Sequence, residues 1–219
     1  MNKSVLTIVL VLATAILIAT AQGPGGPLND LVSISQPAPG FVMPSKPCAT
    51  FRLTSPVVAD QGAYPVEFTG DGAGVTPPIA WRGAPPGTKS YALIMHHVDR
   101  EGKTKIYWIL YNISAAVTHL EKNSQGIGVL GLNTIKNRAG YAPPHSKGPG
   151  PKTYVITLYA LSDAPTIQVP PDSVNAKTLV NAMKDRILAT ADLHVIYSRE
   201  GAAPGDRPAP LPEDRPRPQ

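Results

Sequence analysis

The chain has 219 residues, 25 of them proline and 19 glycine, with a formal net charge of +5 and a single cysteine. One cysteine excludes an intrachain disulfide framework and a four-thiolate zinc site. The lysines and arginines are scattered along the chain, so the charge carries no nucleic-acid footprint.

From the N-terminus, residues 1–21 read as a secretory signal peptide. Lys3 supplies the charged start, residues 5–19 are apolar apart from Thr7 and Thr14, and Ala19-Thr20-Ala21 offers a small-x-small cleavage site. The apolar run falls short of the roughly 20 residues needed to span a bilayer. Cleavage after Ala21 is therefore expected, giving a secreted or periplasmic protein with no stable membrane insertion. Residues 22–48 carry six prolines and read as an extended Pro/Gly-rich spacer, with Cys48 at its end as an incidental free thiol or an interchain link. Residues 201–219 carry six more and read as a disordered tail whose three acids balance its three arginines. Residues 49–200 remain as one globular domain, long enough to bury a core without metal or disulfide.

Strand signals dominate this domain. Residues 90–97, 105–113, 153–161 and 193–198 are short, rich in β-branched and aromatic residues, and bounded by turn formers. In the third, both alternating sets are apolar (Tyr154, Ile156, Leu158 against Val155, Tyr159, Leu161), which predicts a central strand covered on both faces. Residues 51–54 and 66–69 are weaker candidates, and residues 126–132 are too glycine-rich to assign. One helix is expected late in the chain, capped by Ser173, with Leu179, Met183 and Ile187 as its buried stripe. The class is all-β with a minor helical part.

Cofactor and catalytic signatures are missing: no G-x-S-x-G elbow, Walker loop, H-E-x-x-H or dinucleotide fingerprint occurs, so no cofactor is implied. What remains is a set of irregular loops beside strong strands. They read Asp71-Gly72-Ala73-Gly74-Val75-Thr76-Pro77-Pro78-Ile79-Ala80-Trp81, then His96-His97-Val98-Asp99 ahead of Tyr107-Trp108, and Gly140-Tyr141-Ala142-Pro143-Pro144-His145-Ser146 leading to Pro151-Lys152-Thr153-Tyr154. With Asn112-Ile113-Ser114 and Tyr159-Ala160-Leu161 in order between and after them, these resemble the phosphatidylethanolamine-binding protein family, in particular its bacterial Raf kinase inhibitor-like branch. The resemblance runs from about Phe51 to Tyr197.

It implies an antiparallel Greek-key β-sandwich with one C-terminal helix and a small anion-accepting pocket. In the family that pocket uses the first aspartate of D-P-D, the histidine of H-W, a proline-rich loop and the P-H-x-Y pair. Here His97 replaces the first aspartate while Asp99 matches the second, Tyr107 replaces the H-W histidine, and Lys152 replaces the P-H-x-Y histidine. Tyr154 and the prolines match. His97, Asp99, Tyr107, Tyr141, Pro143, Pro144, Lys152 and Tyr154 are thus the expected ligand-binding residues. The pocket should be more cationic than the family's usual one and should take a phosphate, sulfate or carboxylate, while phosphatidylethanolamine's ammonium would meet Lys152. No catalysis is expected. The competing readings are a metal site built on His97, Asp99 and His145, a hydrolase using Ser146 beside His145 or Ser90, and a protein-interaction or inhibitor module acting on an extracytoplasmic protease or envelope partner.

Overall fold

The computed structural model describes residues 41–146 and 150–199, so the expected signal peptide, most of the spacer, the tail and Pro149 lie outside the described residues. In chain order the strands are β1 (Arg52–Thr54), β2 (Gly62–Ala63), β3 (Ile79–Arg82), β4 (Ser90–Val98), β5 (Thr104–Ser114), β6 (His119–Leu120), β7 (Val129–Leu130), β8 (Leu132–Asn133), β9 (Arg138–Ala139), β10 (Lys152–Leu161) and β11 (Ile187–Tyr197), with one helix, α1 (Ala176–Met183), before the last. The four strongly patterned segments fall in the four long strands, although residues 193–198 cover only the second half of β11 and end one residue beyond it.

A six-stranded sheet of order β2-β11-β10-β4-β5-β7 forms the middle layer, and a three-stranded sheet of order β1-β3-β6 packs on one face. Pairing is antiparallel except between β2 and β11. The chain leaves β5 and returns to lie on the other side of β4 as β10, which is the Greek-key excursion of a sandwich. Strand periodicity explains the layering, because successive side chains face opposite ways. On β4, Tyr91, Leu93 and Met95 meet Phe51, Leu53 and Trp81 from the smaller sheet, whereas Ala92 and Ile94 meet Leu179 and Met183 of α1. Both faces of β4 and β10 are dry along the middle of the strands, so residues such as Leu93, Ile94 and Ile156 are fully buried, each contributing about 1.5–3 kcal/mol of transfer free energy.

Three local expectations need correction. Helix α1 is capped by Asn175, whose side chain accepts from the Thr178 amide at 3.0 Å, not by Ser173, which ends a preceding 3₁₀ turn at Pro171–Ser173. Ile187 is the first residue of β11, because a second 3₁₀ turn at Lys184–Arg186 stops the helix; its apolar spacing reflects burial in the same cluster as Leu179 and Met183. Residues 66–69 form a 3₁₀ turn at Val66–Phe68 and not a strand: Pro65 sets the entry, and the Thr69 hydroxyl closes the turn by donating to Val66 O at 2.8 Å. The unassigned glycine-rich stretch yields β7 and the start of β8, with Gly128 at φ +69°, where a Cβ would lie 2.7 Å from Tyr111 O.

The C-terminal end of the segment read as spacer lies on the domain. Lys46 O accepts from the Thr190 amide while the Lys46 amide donates to Thr190 Oγ1, Pro47 bridges the same residue, and Phe41 and Met43 pack on the helix-side cluster.

Candidate functional site

Register brings three strands together at one end of the large sheet. His97 of β4 faces Lys105 of β5, and β10, which opens at Lys152, runs antiparallel beside β4. Between the pairs Met95–Trp108 and His96–Ile106, Tyr107 is left as the extra residue of a β-bulge, a device that re-aims a side chain at a sheet end. Around the resulting cavity of about 370 Å³ stand His97, Asp99, Tyr107 and Lys152, together with Arg100, Glu101 and Lys105. Tyr154 lies one layer behind, its ring 5.3 Å from that of His97 and 5.0 Å from that of Tyr107, edge-on to the latter.

The charges are arranged unequally. Asp99 Oδ1 accepts from the amides of Lys103 at 2.9 Å and Glu101 at 3.0 Å, and Oδ2 meets Lys105 Nζ at 3.1 Å. The Lys103 amide, followed by Lys105, holds the Asp99 carboxyl below its ordinary range, so Asp99 fastens the β4–β5 turn and stays ionised. Glu101 is likewise drawn to Lys103, at 2.7 Å. Three bases against two acids leave the rim cationic. Burial, then the charges of Lys105 and Arg100, lower the Lys152 pKa. The Thr153 carbonyl lies 2.8 Å from His97 Nδ1, which places the ring proton there in the neutral imidazole; protonation then turns Nε2 into a second donor.

Burial raises the Tyr107 and Tyr154 phenols above their ordinary range, so both remain protonated donors. The fully buried Tyr154 hydroxyl sits beside the Tyr107 hydroxyl and the Ser146 backbone yet completes no hydrogen bond of normal geometry among the described residues, and neither does the Ser146 hydroxyl. Unpaired buried polar atoms are costly.

The other expected residues stand elsewhere. Tyr141 donates its hydroxyl proton to Phe68 O and accepts from Tyr64 at 3.0 Å, with its ring against Trp108 at 5.7 Å. Pro143 packs at Gly74, and Pro144 O accepts from the Gly70 amide at 2.7 Å, so the proline loop is docked on the Asp71 loop. Asp71 is the hub of that junction: Tyr197 donates to it at 2.6 Å, Arg199 Nε lies at 3.0 Å and His145 Nδ1 at 3.4 Å. Sequence reasoning missed this hub, since its members come from three distant segments. It also missed Lys105, although its position two residues before Tyr107 was a usable period-2 signal.

Neither serine of the hydrolase reading is coupled to a base: Ser146 Oγ has no partner among the described residues, and Ser90 donates to Ile113 O at 3.2 Å. His145 is turned to Asp71 and His97 to Thr153, and no group of three metal-ligating side chains occurs among the described residues.

Comparison with known proteins agrees with this architecture. A "UPF0098 protein" of Chlamydia muridarum is 33% identical over 155 residues, covering 68% of this chain and 99% of that one. LppC of Mycobacterium tuberculosis, named as a candidate lipoprotein, is 29% identical over 135 residues, covering 61% of this chain and 66% of that one. The crystal structure of CT736 from Chlamydia trachomatis, described as a homolog of phosphatidylethanolamine-binding protein, matches with a TM-score of 0.64 at 31% identity, covering 69% of this chain and 99% of that one. The profile of the family described as phosphatidylethanolamine-binding protein matches residues 54–198, strand β1 to the end of β11. The chain belongs to the phosphatidylethanolamine-binding protein family.

Proposed function

We propose that this chain is an exported, non-catalytic binding protein whose cationic cavity holds the phosphate, sulfate or carboxylate group of a small ligand. The observation that carries the reading is the convergence of Lys152, Lys105 and Arg100 on one cavity that Tyr107 also lines. An anion there relieves repulsion among the cations and accepts from the Tyr107 phenol, behind which the Tyr154 hydroxyl lies. The family's ammonium-bearing lipid headgroup suits this cavity less well, because His97 stands where the resemblance places a carboxylate.

Export rests on the leader-like residues 1–21 and agrees with the lipoprotein name of the relative LppC. Intact mass of the protein recovered outside the cytoplasm should correspond to a start at Gln22; a retained leader would remove this part of the reading.

Titration calorimetry with inorganic phosphate and with sulfate tests the cavity. Lys152→Ala should weaken both by about tenfold, the lower end expected for a charge-assisted bond at a partly exposed site. Equal affinity in parent and variant would defeat the proposal.

A further inference from the structure

The small sheet buries only one of its faces. Leu53 and Trp81 turn inward onto the large sheet, so the alternate residues Arg52 and Thr54 of β1, Arg82 of β3 and His119 of β6 are exposed on the outer face. Register sets Arg52 directly opposite Arg82. Like charges directly opposite on neighbouring strands repel and weaken the pairing. Neither guanidinium has a carboxylate within ion-pairing distance among the described residues, and His119, across the face, already meets Glu121 at 3.3 Å.

The backbone beneath the two arginines is fastened. The Thr54 hydroxyl donates to Ala80 O at 3.2 Å and the Thr50 hydroxyl to Gly83 O at 3.3 Å, which ties β1 to β3 on either side of the pair. Gly83 stands at φ +71°, and a Cβ there would lie 2.0 Å from Thr50 O, so the close approach beside Arg82 requires glycine. On the inner side the rings of Phe51 and Trp81 both pack on Tyr91, at 6.2 and 5.3 Å. The strands therefore have little room to part, and the repulsion is relieved by a partner that brings negative charge.

The open surface narrows the kind of partner. Arg52 and Arg82 stand on a sheet face and line neither the cationic cavity nor the one beside β5. A single exposed ion pair gains at most about fivefold in affinity, too little to hold a small free anion. A segment presenting several carboxylates gains from each. In an extended chain alternate side chains share a face about 6.5–7 Å apart, a spacing that the long stems of two arginines on adjacent strands can meet.

We propose that the outer face of β1, β3 and β6 is a docking surface for an acidic, extended segment of a partner protein, with Arg52 and Arg82 holding its alternate carboxylates. The inference does not depend on the anion reading of the cationic cavity, which lies at the end of the large sheet.

The probe is a fluorescein-labelled peptide of alternating glutamate and serine, titrated into the full chain at low salt and followed by anisotropy, with the glutamine–serine peptide as its uncharged match. The glutamate peptide should bind saturably and the glutamine peptide about tenfold more weakly. Arg52→Gln and Arg82→Gln should each weaken the glutamate peptide about threefold, and the double variant about tenfold, as expected of two exposed ion pairs. Without peptide, each single variant should unfold at the same or a higher urea concentration, because it relieves the repulsion. Lys177→Gln, an equal loss of charge at an exposed position of α1, and Lys152→Ala should leave the peptide affinity unchanged. The proposal is overturned by no saturable binding, by equal binding of the glutamine peptide, by full affinity in the double variant, or by a Lys177→Gln effect as large as that of Arg82→Gln. Loss of binding in Lys152→Ala would place the peptide in the cationic cavity, and lower urea midpoints in both single variants would make the arginines part of the fold; either result also defeats it. Binding of phosphatidylglycerol vesicles that needs both arginines, without binding of the peptide, would replace the protein partner with a lipid surface.

Discussion

At the scale of single residues, Lys152 links geometry to pH. Its pKa is lowered by burial and by the charges of Lys105 and Arg100, so the protonated form is disfavoured relative to a free lysine. A bound anion reverses that preference and raises the pKa. By linkage, affinity is full below the depressed pKa of the free protein and is lost as pH rises through it. Sulfate keeps its charge over this range, so its binding should decline with rising pH before the ordinary lysine range near 10.5 is reached, and Lys152→Ala should flatten that decline. A parent profile as flat as that of the variant would show that the Lys152 ammonium is not part of the site. Tyr154 offers a test with two opposite signs. Its hydroxyl is buried without a normal hydrogen bond among the described residues, so Tyr154→Phe removes a poorly met polar atom and keeps the ring contacts with His97 and Tyr107. Stability in denaturant should be unchanged or higher by about 1 kcal/mol, while phosphate affinity falls. A destabilised variant with intact phosphate affinity would mean that the hydroxyl serves the fold and not the ligand.

At the scale of elements, the long strands were legible because their information is local: β-branched and aromatic runs with apolar residues on both alternations. Residues 90–97 and 153–161 differ from β4 and β10 by a single residue at one end. The lining of the cationic cavity was legible for a related reason, since His97 and Asp99 stand at the end of β4, Tyr107 lies in the first half of β5, and Lys152 opens β10. Tyr141, Pro143 and Pro144 went elsewhere because a loop's side chains answer to whatever packs on the loop. Here that is the loop from Phe68 to Gly74, whose Asp71 has its own partners 74 and more residues away, at His145, Tyr197 and Arg199, beyond any local pattern. The helix start failed for a different reason. Ser173 and Asn175 are both good capping residues, but Pro170 and Pro171 direct the chain into a 3₁₀ turn first, which moves the cap two residues on. Asn175→Ala should therefore cost about 1 kcal/mol in denaturant unfolding, and Ser173→Ala close to nothing. Equal costs for the two would place the functional cap back at Ser173.

At the scale of the whole molecule, the stretch before the family-matched region has a structural task at the free edge of β11. That strand pairs with β10 along its whole length, but on its other side β2 reaches only Val195 and Ile196. The opposite part of that edge is met at Thr190, where Lys46 O accepts from the Thr190 amide at 2.7 Å and the Lys46 amide donates to Thr190 Oγ1 at 2.9 Å, with Lys46 Nζ on Ile187 O at 3.1 Å. An uncovered strand edge is a template for pairing with another chain, and covering it by a loop is a usual remedy. Phe41 and Met43 extend the cover onto the helix-side cluster. A chain beginning at Phe41 should thus match the longer protein in stability and remain a single species on size exclusion. One beginning at residue 49 should lose about 2–4 kcal/mol, from three net hydrogen bonds and two partly buried apolar side chains, and should self-associate through the exposed edge of β11. If the shorter chain is as stable and as monodisperse as the longer one, residues 41–48 are a passive link, and the working domain starts with β1.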